Sequence, residues 1–146
     1  MTKRISNIPI DLVQIDEDGY HLMISAKIGR KKVRLLIDTG ASRSVFDKTR
    51  LDAILGNKDN EYETLEQLST GLGTNSMESQ TTCLKSFKLG DIKIKNLDVV
   101  VLDLNHVNES YAMIGVKGID GVLGSDILKK YEAVIYYREK RLKLYY

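Results

Sequence analysis

Residues 35–42 read LLIDTGAS. Leu35, Leu36 and Ile37 carry the chain to an acid at Asp38, and Thr39, Gly40 and Ala41 follow it. An ionised carboxylate loses several kcal/mol on leaving water unless something pairs with it or holds its proton. The stretch therefore has two readings: a strand that stops at a solvated turn, or an acid whose discomfort is its purpose. The residues around it decide between them.

Upstream, Tyr20, Leu22, Ile24, Ala26 and Ile28 alternate with His21, Met23, Ser25 and Lys27, which is the period of a strand with one buried face. Residues 9–15 read as a strand before it, and Gly29-Arg30 turns the chain into residues 31–37, so Asp38 ends a meander. Downstream, Leu51, Ile54 and Leu55 share a helical face, with Asp47 as cap and Gly56 as stop. Strands are expected at 81–89, 92–94 and 97–104, with turns at Gly90-Asp91 and Lys95-Asn96, and irregular chain at 105–117. Residues 125–130 make a short helix, and 133–137 with 141–146 make a closing hairpin edged by Tyr145 and Tyr146. Many short strands and few helices argue for a closed or sandwiched β-barrel rather than alternating βα units.

The chain has 146 residues, of which 42% are hydrophobic. That suffices for one core burying roughly two-thirds of the unfolded surface. A single Pro and the lack of any low-complexity tract or linker make residues 1–146 one expected domain. The net charge is +2 with both signs interspersed, so no basic stripe for nucleic acid exists. No apolar run approaches the ~20 residues of a membrane helix. The N-terminal MTKRISNIPIDLV has a basic patch without a signal-length apolar stretch, and a cytoplasmic location is expected. Cys83 is the only cysteine, and His21 and His106 lie far apart, so neither a disulfide, a metal site nor a cofactor is expected. Cys83 reads as a small core residue and the two histidines as solvated. Tyr136, Tyr137, Tyr145 and Tyr146 read as strand packing rather than a base-stacking platform.

Asp38-Thr39-Gly40-Ala41, with Leu36-Ile37 before it and Ser44 after, resembles the signature of retroviral-type (retropepsin-like) aspartic proteases. Val122-Leu123-Gly124, running into Ser125-Asp126-Ile127-Leu128, looks like that family's second apolar-apolar-Gly segment and the helix after it. The terminal AVIYYREKRLKLYY is similar to the closing hairpin of bacterial members, so the resemblance spans residues 20–146. It implies an all-β fold: a closed acid-protease barrel with one or two short helices. It also implies an aspartic endopeptidase acting on a peptide or protein substrate, with Asp38 catalytic and Thr39, Gly40 and Ala41 building the site. Ser69-Thr70-Gly71-Leu72-Gly73-Thr74 looks like the Gly-rich flap, with Gly71, Leu72 and Gly73 over the substrate.

Amide hydrolysis by this route needs one ionised acid to deprotonate water and one protonated acid to support the carbonyl oxygen. Two carboxylates about 4 Å apart repel by roughly 4 kcal/mol at an effective dielectric of 20, or about three pKa units, so the pair retains one proton. Only one Asp-Thr-Gly occurs here, and the resemblance supplies the second acid from a second copy, in a homodimer. Asp126 and Asp120 are poorer internal partners, one at a helix start and the other in a Gly118–Gly121 turn. Where viral enzymes carry an acid and an Arg that lock the dimer, this chain has Ser42 and Ser125. That departure motivates an alternative: a non-catalytic dimeric module that grips extended peptides without cutting them. A phosphoryl-accepting Asp38 is disfavoured, since the Asp-x-Asp arrangement is missing.

Overall fold

The computed structural model describes residues 2–56, 62–64 and 79–146. A hairpin of β3 (Tyr20–Ile28) and β4 (Lys31–Ile37) starts the main sheet, in register from Met23 opposite Leu36 to Ile28 opposite Lys31. β2 (Asp11–Gln14) flanks β3. Beside β4 lies β9 (Gly121–Leu123), which is parallel to it, and then β5 (Val45–Asp47), antiparallel to β9. β8 (Ile92–Leu102), β7 (Gln80–Leu89) and β6 (Glu63–Thr64) complete the order. β7 returns to β3 through Lys27 opposite Lys88 and Ile28 opposite Phe87, closing β3, β4, β9, β5, β8 and β7 into a barrel.

The alternation in β3 places Leu22, Ile24, Ala26 and Ile28 in the barrel core with Val33, Leu35, Ile37, Phe46, Leu84, Phe87 and Leu89. Phe46 and Phe87 meet edge to face at 6.2 Å. α1 (Lys48–Leu55) begins and ends where its caps predict: Asp47 Oδ2 accepts the Arg50 N–H at 3.0 Å, and Gly56 takes the left-handed φ of +62°. The buried Asp47 also accepts the Leu104 N–H at 2.8 Å, which ties α1 to the end of β8.

Several expectations are corrected. Met23, on the face read as outward, is fully buried, because a helix covers it. That helix, α2 (Asn105–Met113), occupies chain read as irregular, and α3 (Ser125–Lys130) brings the short helices to three among the described residues. α2 lacks a side-chain N-cap and is held instead by tertiary anchors: Tyr111 packs with Met23, Leu104 and Ile119, and Asn108 bonds both the N–H and the carbonyl of Ile119. Lys95-Asn96 is not a turn. β8 runs through it and keeps the same register to β7 on either side, Leu84 opposite Leu97 and Ser86 opposite Lys95, while Asn96, at φ +54°, marks where the inward phase passes from Ile94 to Leu97.

Residues 9–15 are not one strand. β1 (Ile5–Pro9) pairs with β11 (Arg141–Tyr145), and the chain changes sheets at Ile10, after a proline that has no N–H for the ladder. β11 is therefore not a hairpin edge. It is the middle strand of a second sheet, between β1 and β10 (Val134–Tyr136). Cys83 is exposed rather than in the core, since it stands on the outward face of β7 one residue before the buried Leu84. No helix of the described residues is long and apolar enough to cross a membrane.

Candidate active site

The parallel register of β4 and β9 brings the two sequence motifs side by side, Leu36 opposite Val122 and Ile37 opposite Leu123. Past the strand ends the two loops remain bonded. The Asp38 N–H donates to the Leu123 carbonyl at 3.0 Å, and the Ser125 N–H donates to the Ala41 carbonyl at 2.7 Å. A Cβ on Gly124 would stand 2.8 Å from Ala41 O, Arg43 C and Arg43 O, so the loops touch only because this residue has no side chain.

Within the Asp38 turn, the Ala41 N–H reaches the Asp38 carbonyl at 3.2 Å and the Gly40 N–H reaches Asp38 Oδ1 at 2.9 Å. The aliphatic residues Leu35 and Ile37 are buried, whereas Asp38, Thr39 and Gly40 are exposed. Among the described residues, a Cβ on Gly40 would meet nothing closer than Asp38 Oδ1 at 3.4 Å, so they leave the space above this backbone open. Thr39 borders a hollow of about 380 Å³ that Leu128, Lys129, Glu132, Ala133 and Ile135 complete.

Asp120 and Asp126 are engaged elsewhere. Asp120 accepts the Arg34 N–H at 2.8 Å and faces the Arg50 guanidinium at 3.4 Å. Asp126 accepts the Ser44 N–H at 3.0 Å and the Ser44 hydroxyl at 2.8 Å, and Ser44 Oγ in turn accepts the Gly124 N–H at 2.9 Å. Ser44 is buried, and with Asp126 it forms a polar brace under the two motif loops. The sequence places Ser44 in the first motif and Asp126 in the second, but a bond between residues 82 positions apart leaves no mark in either. Ser42 is exposed, and Ser125 contributes its N–H to the loop contact. Gly71, Leu72 and Gly73 lie outside the described residues. β6 and β7 on either side of that segment pair antiparallel, Glu63 opposite Thr81.

The sequence reading also missed a group next to Asp38. His21 is half-buried rather than free in solvent. Its Nδ1 and the Tyr111 hydroxyl share a 2.8 Å hydrogen bond, and the rings meet edge on. Burial raises the Tyr111 hydroxyl above its ordinary 10.0; the nearby Arg34 charge opposes this and the Asp38 charge adds to it. A phenol raised on folding holds its proton longer in the folded chain, so its contribution to stability is full at neutral pH and is lost as pH rises through and beyond 10.0. The unfolding free energy, followed from about pH 9 to about pH 11, is expected to fall more steeply for the wild type than for Tyr111→Phe. Equal slopes would mean that Tyr111 carries none of it.

Among the described residues no three His, Cys, Asp or Glu side chains are grouped to hold a metal ion. The family model for aspartyl protease matches residues 24–127. Among solved structures, the chain is similar to a retropepsin-like aspartic protease from Rickettsia conorii, with a TM-score of 0.57 and 20% identity over 100% of this chain and 95% of that one. It is also similar to the retroviral protease-like domain of Ddi1 from Leishmania major, with a TM-score of 0.58 and 16% identity over 85% and 87% of the two chains. A third likeness is to EIAV protease complexed with the inhibitor HBY-793, with a TM-score of 0.56 and 20% identity over 85% and 99%. No curated protein sequence matches. The structural likenesses establish a retropepsin-like fold.

Proposed function

Because the chain belongs to the aspartyl protease family, we propose that it is an endopeptidase that works as a homodimer, with one Asp38 from each copy meeting on the two-fold axis. The observation that carries this is the exposed Asp38 carboxylate, bonded to its own Gly40 N–H while Asp120 and Asp126 are engaged elsewhere. One ionised Asp38 takes a proton from water, and the resulting hydroxide adds to the scissile carbonyl carbon. The protonated Asp38 of the second copy gives its proton to the carbonyl oxygen, forming a neutral tetrahedral diol. Collapse breaks the C–N bond as the leaving nitrogen takes up the proton removed from water, and the diol returns the other to the dyad. Open space over Gly40 among the described residues suits the approach of a substrate backbone.

The test is a peptide library incubated with the purified protein over a range of protein concentrations, beside sedimentation of the same samples. Cleavage per chain is expected to rise with the dimer fraction and then level off. Cleavage that is independent of concentration in a monomer would overturn the two-copy site. A dimer that retains peptides uncut would favour the binding module that Ser42 and Ser125 motivate.

A further inference from the structure

We propose that the two copies join through β10, edge to edge, rather than through the chain ends. The inference rests on the two-copy site above and names the surface that builds it.

The chain ends are engaged within one copy, with Ile5 opposite Tyr145 and the Arg4 N–H donating to the Tyr146 carbonyl at 2.7 Å. β11 has a neighbour on each side, so the three-strand sheet has two edges, β1 and β10. β1 has the features of a protected edge: Pro9 at one end and Lys3-Arg4 at the other. β10 has none. Residues 133–137 read AVIYY, five residues without a charge or a proline, all β-branched or aromatic after the first. Val134 is 42% exposed, Tyr136 37% and Tyr137 60%. An uncharged strand edge of this kind is the sort of template that pairs with another strand.

Position identifies the occupant as a second copy of this chain. Ala133 and Ile135 line the same hollow as Thr39, which follows Asp38 directly, so the β10 edge lies on the side of the molecule where the half-site waits for its mate. Identical strands can pair antiparallel about a two-fold axis, and a register centred on Ile135 sets Val134 of one copy across from the 136 position of the other. Leu142 and Leu144 hold the inner face of the sheet in the core, while Lys143 lies over the Tyr136 ring at 5.3 Å on the outer one. The product is one continuous sheet of six strands, three from each copy. It stands in for the missing Ser42 and Ser125 charge lock.

Two variants test this, both in a Cys83→Ser background because Cys83 is exposed. Val134→Cys with Tyr136→Cys is expected to give a covalent dimer on mild oxidation, one that keeps its cleavage rate on dilution below the wild-type dissociation range. Val134→Lys with Tyr136→Lys is expected to weaken dimerisation by about 100-fold or more by sedimentation, with cleavage recovered at high protein concentration. If the wild type dimerises and cleaves while the lysine variant dimerises equally well and the cysteines do not cross-link, this interface is overturned and the catalytic proposal stands. If the cross-link forms and the lysines dissociate the dimer but nothing is cleaved, the interface stands and the catalytic proposal falls. A wild type that remains monomeric at every concentration overturns both.

Discussion

Asp38→Asn is expected to lower peptide cleavage by at least about 10⁴-fold and to leave the fold unchanged. The amide oxygen can still accept the Gly40 N–H that Asp38 Oδ1 accepts at 2.9 Å, so the turn retains its internal bond. What the amide cannot do is take a proton from water or hold one for the carbonyl oxygen. Because both copies change together, each dimer loses its base and its acid at once. The measurement is kcat/KM on the best library peptide, with a melting curve as the control. A variant retaining more than about a tenth of wild-type activity would remove Asp38 from the chemistry.

Mixing sharpens that result. When wild type is combined with an equal amount of the Asn variant, random pairing leaves only about half of the wild-type chains with a wild-type mate. Activity per wild-type chain should then drop to about half under conditions where all chains are dimeric. A self-sufficient site in each chain would show no drop.

Gly124→Ala is expected to cost about 3 kcal/mol and to lower Tm by about 10 °C. The added Cβ would be 2.8 Å from three backbone atoms of the Ala41–Arg43 segment, and backbone cannot swing aside as a side chain can. The bonds that join the motifs, from Asp38 N–H to Leu123 and from Ser125 N–H to Ala41, would open together. Gly40→Ala is the instructive contrast. Among the described residues its Cβ meets only Asp38 Oδ1 at 3.4 Å, so thermal melting should barely move, while cleavage falls because a methyl group projects into the space a substrate backbone would use. If the two variants melt alike, the account of Gly124 as the contact between loops is wrong.

The parts of this molecule that could be read in advance are those governed by neighbours in sequence. The β3 alternation, the Asp47 cap with its Gly56 stop, and the two motifs each carry their signal within a few residues. α2 did not, because Asn105, His106 and Asn108 are weak helix formers, and what holds them is Asn108 on Ile119 and Tyr111 on Met23. The His21 bond to Tyr111 spans two elements and leaves no mark in either. Ser44 and Asp126 meet only after β9 has slipped between β4 and β5. The strand at Ile5–Pro9 was equally hidden, since its partner is at the other end of the chain.

That last pairing governs timing. Bringing Ile5 to Tyr145 closes a loop of nearly the whole chain, at an entropic cost of roughly 4 kcal/mol that shorter-range contacts must first offset. The barrel can therefore assemble early, whereas the terminal sheet forms late. While the protein is still being synthesised, residues 5–9 have no partner strand. With β10 as the meeting edge, a nascent chain holds an Asp38 without a mate, which can hydrolyse nothing, its own unfinished neighbours included, until β11 has been made to hold β10.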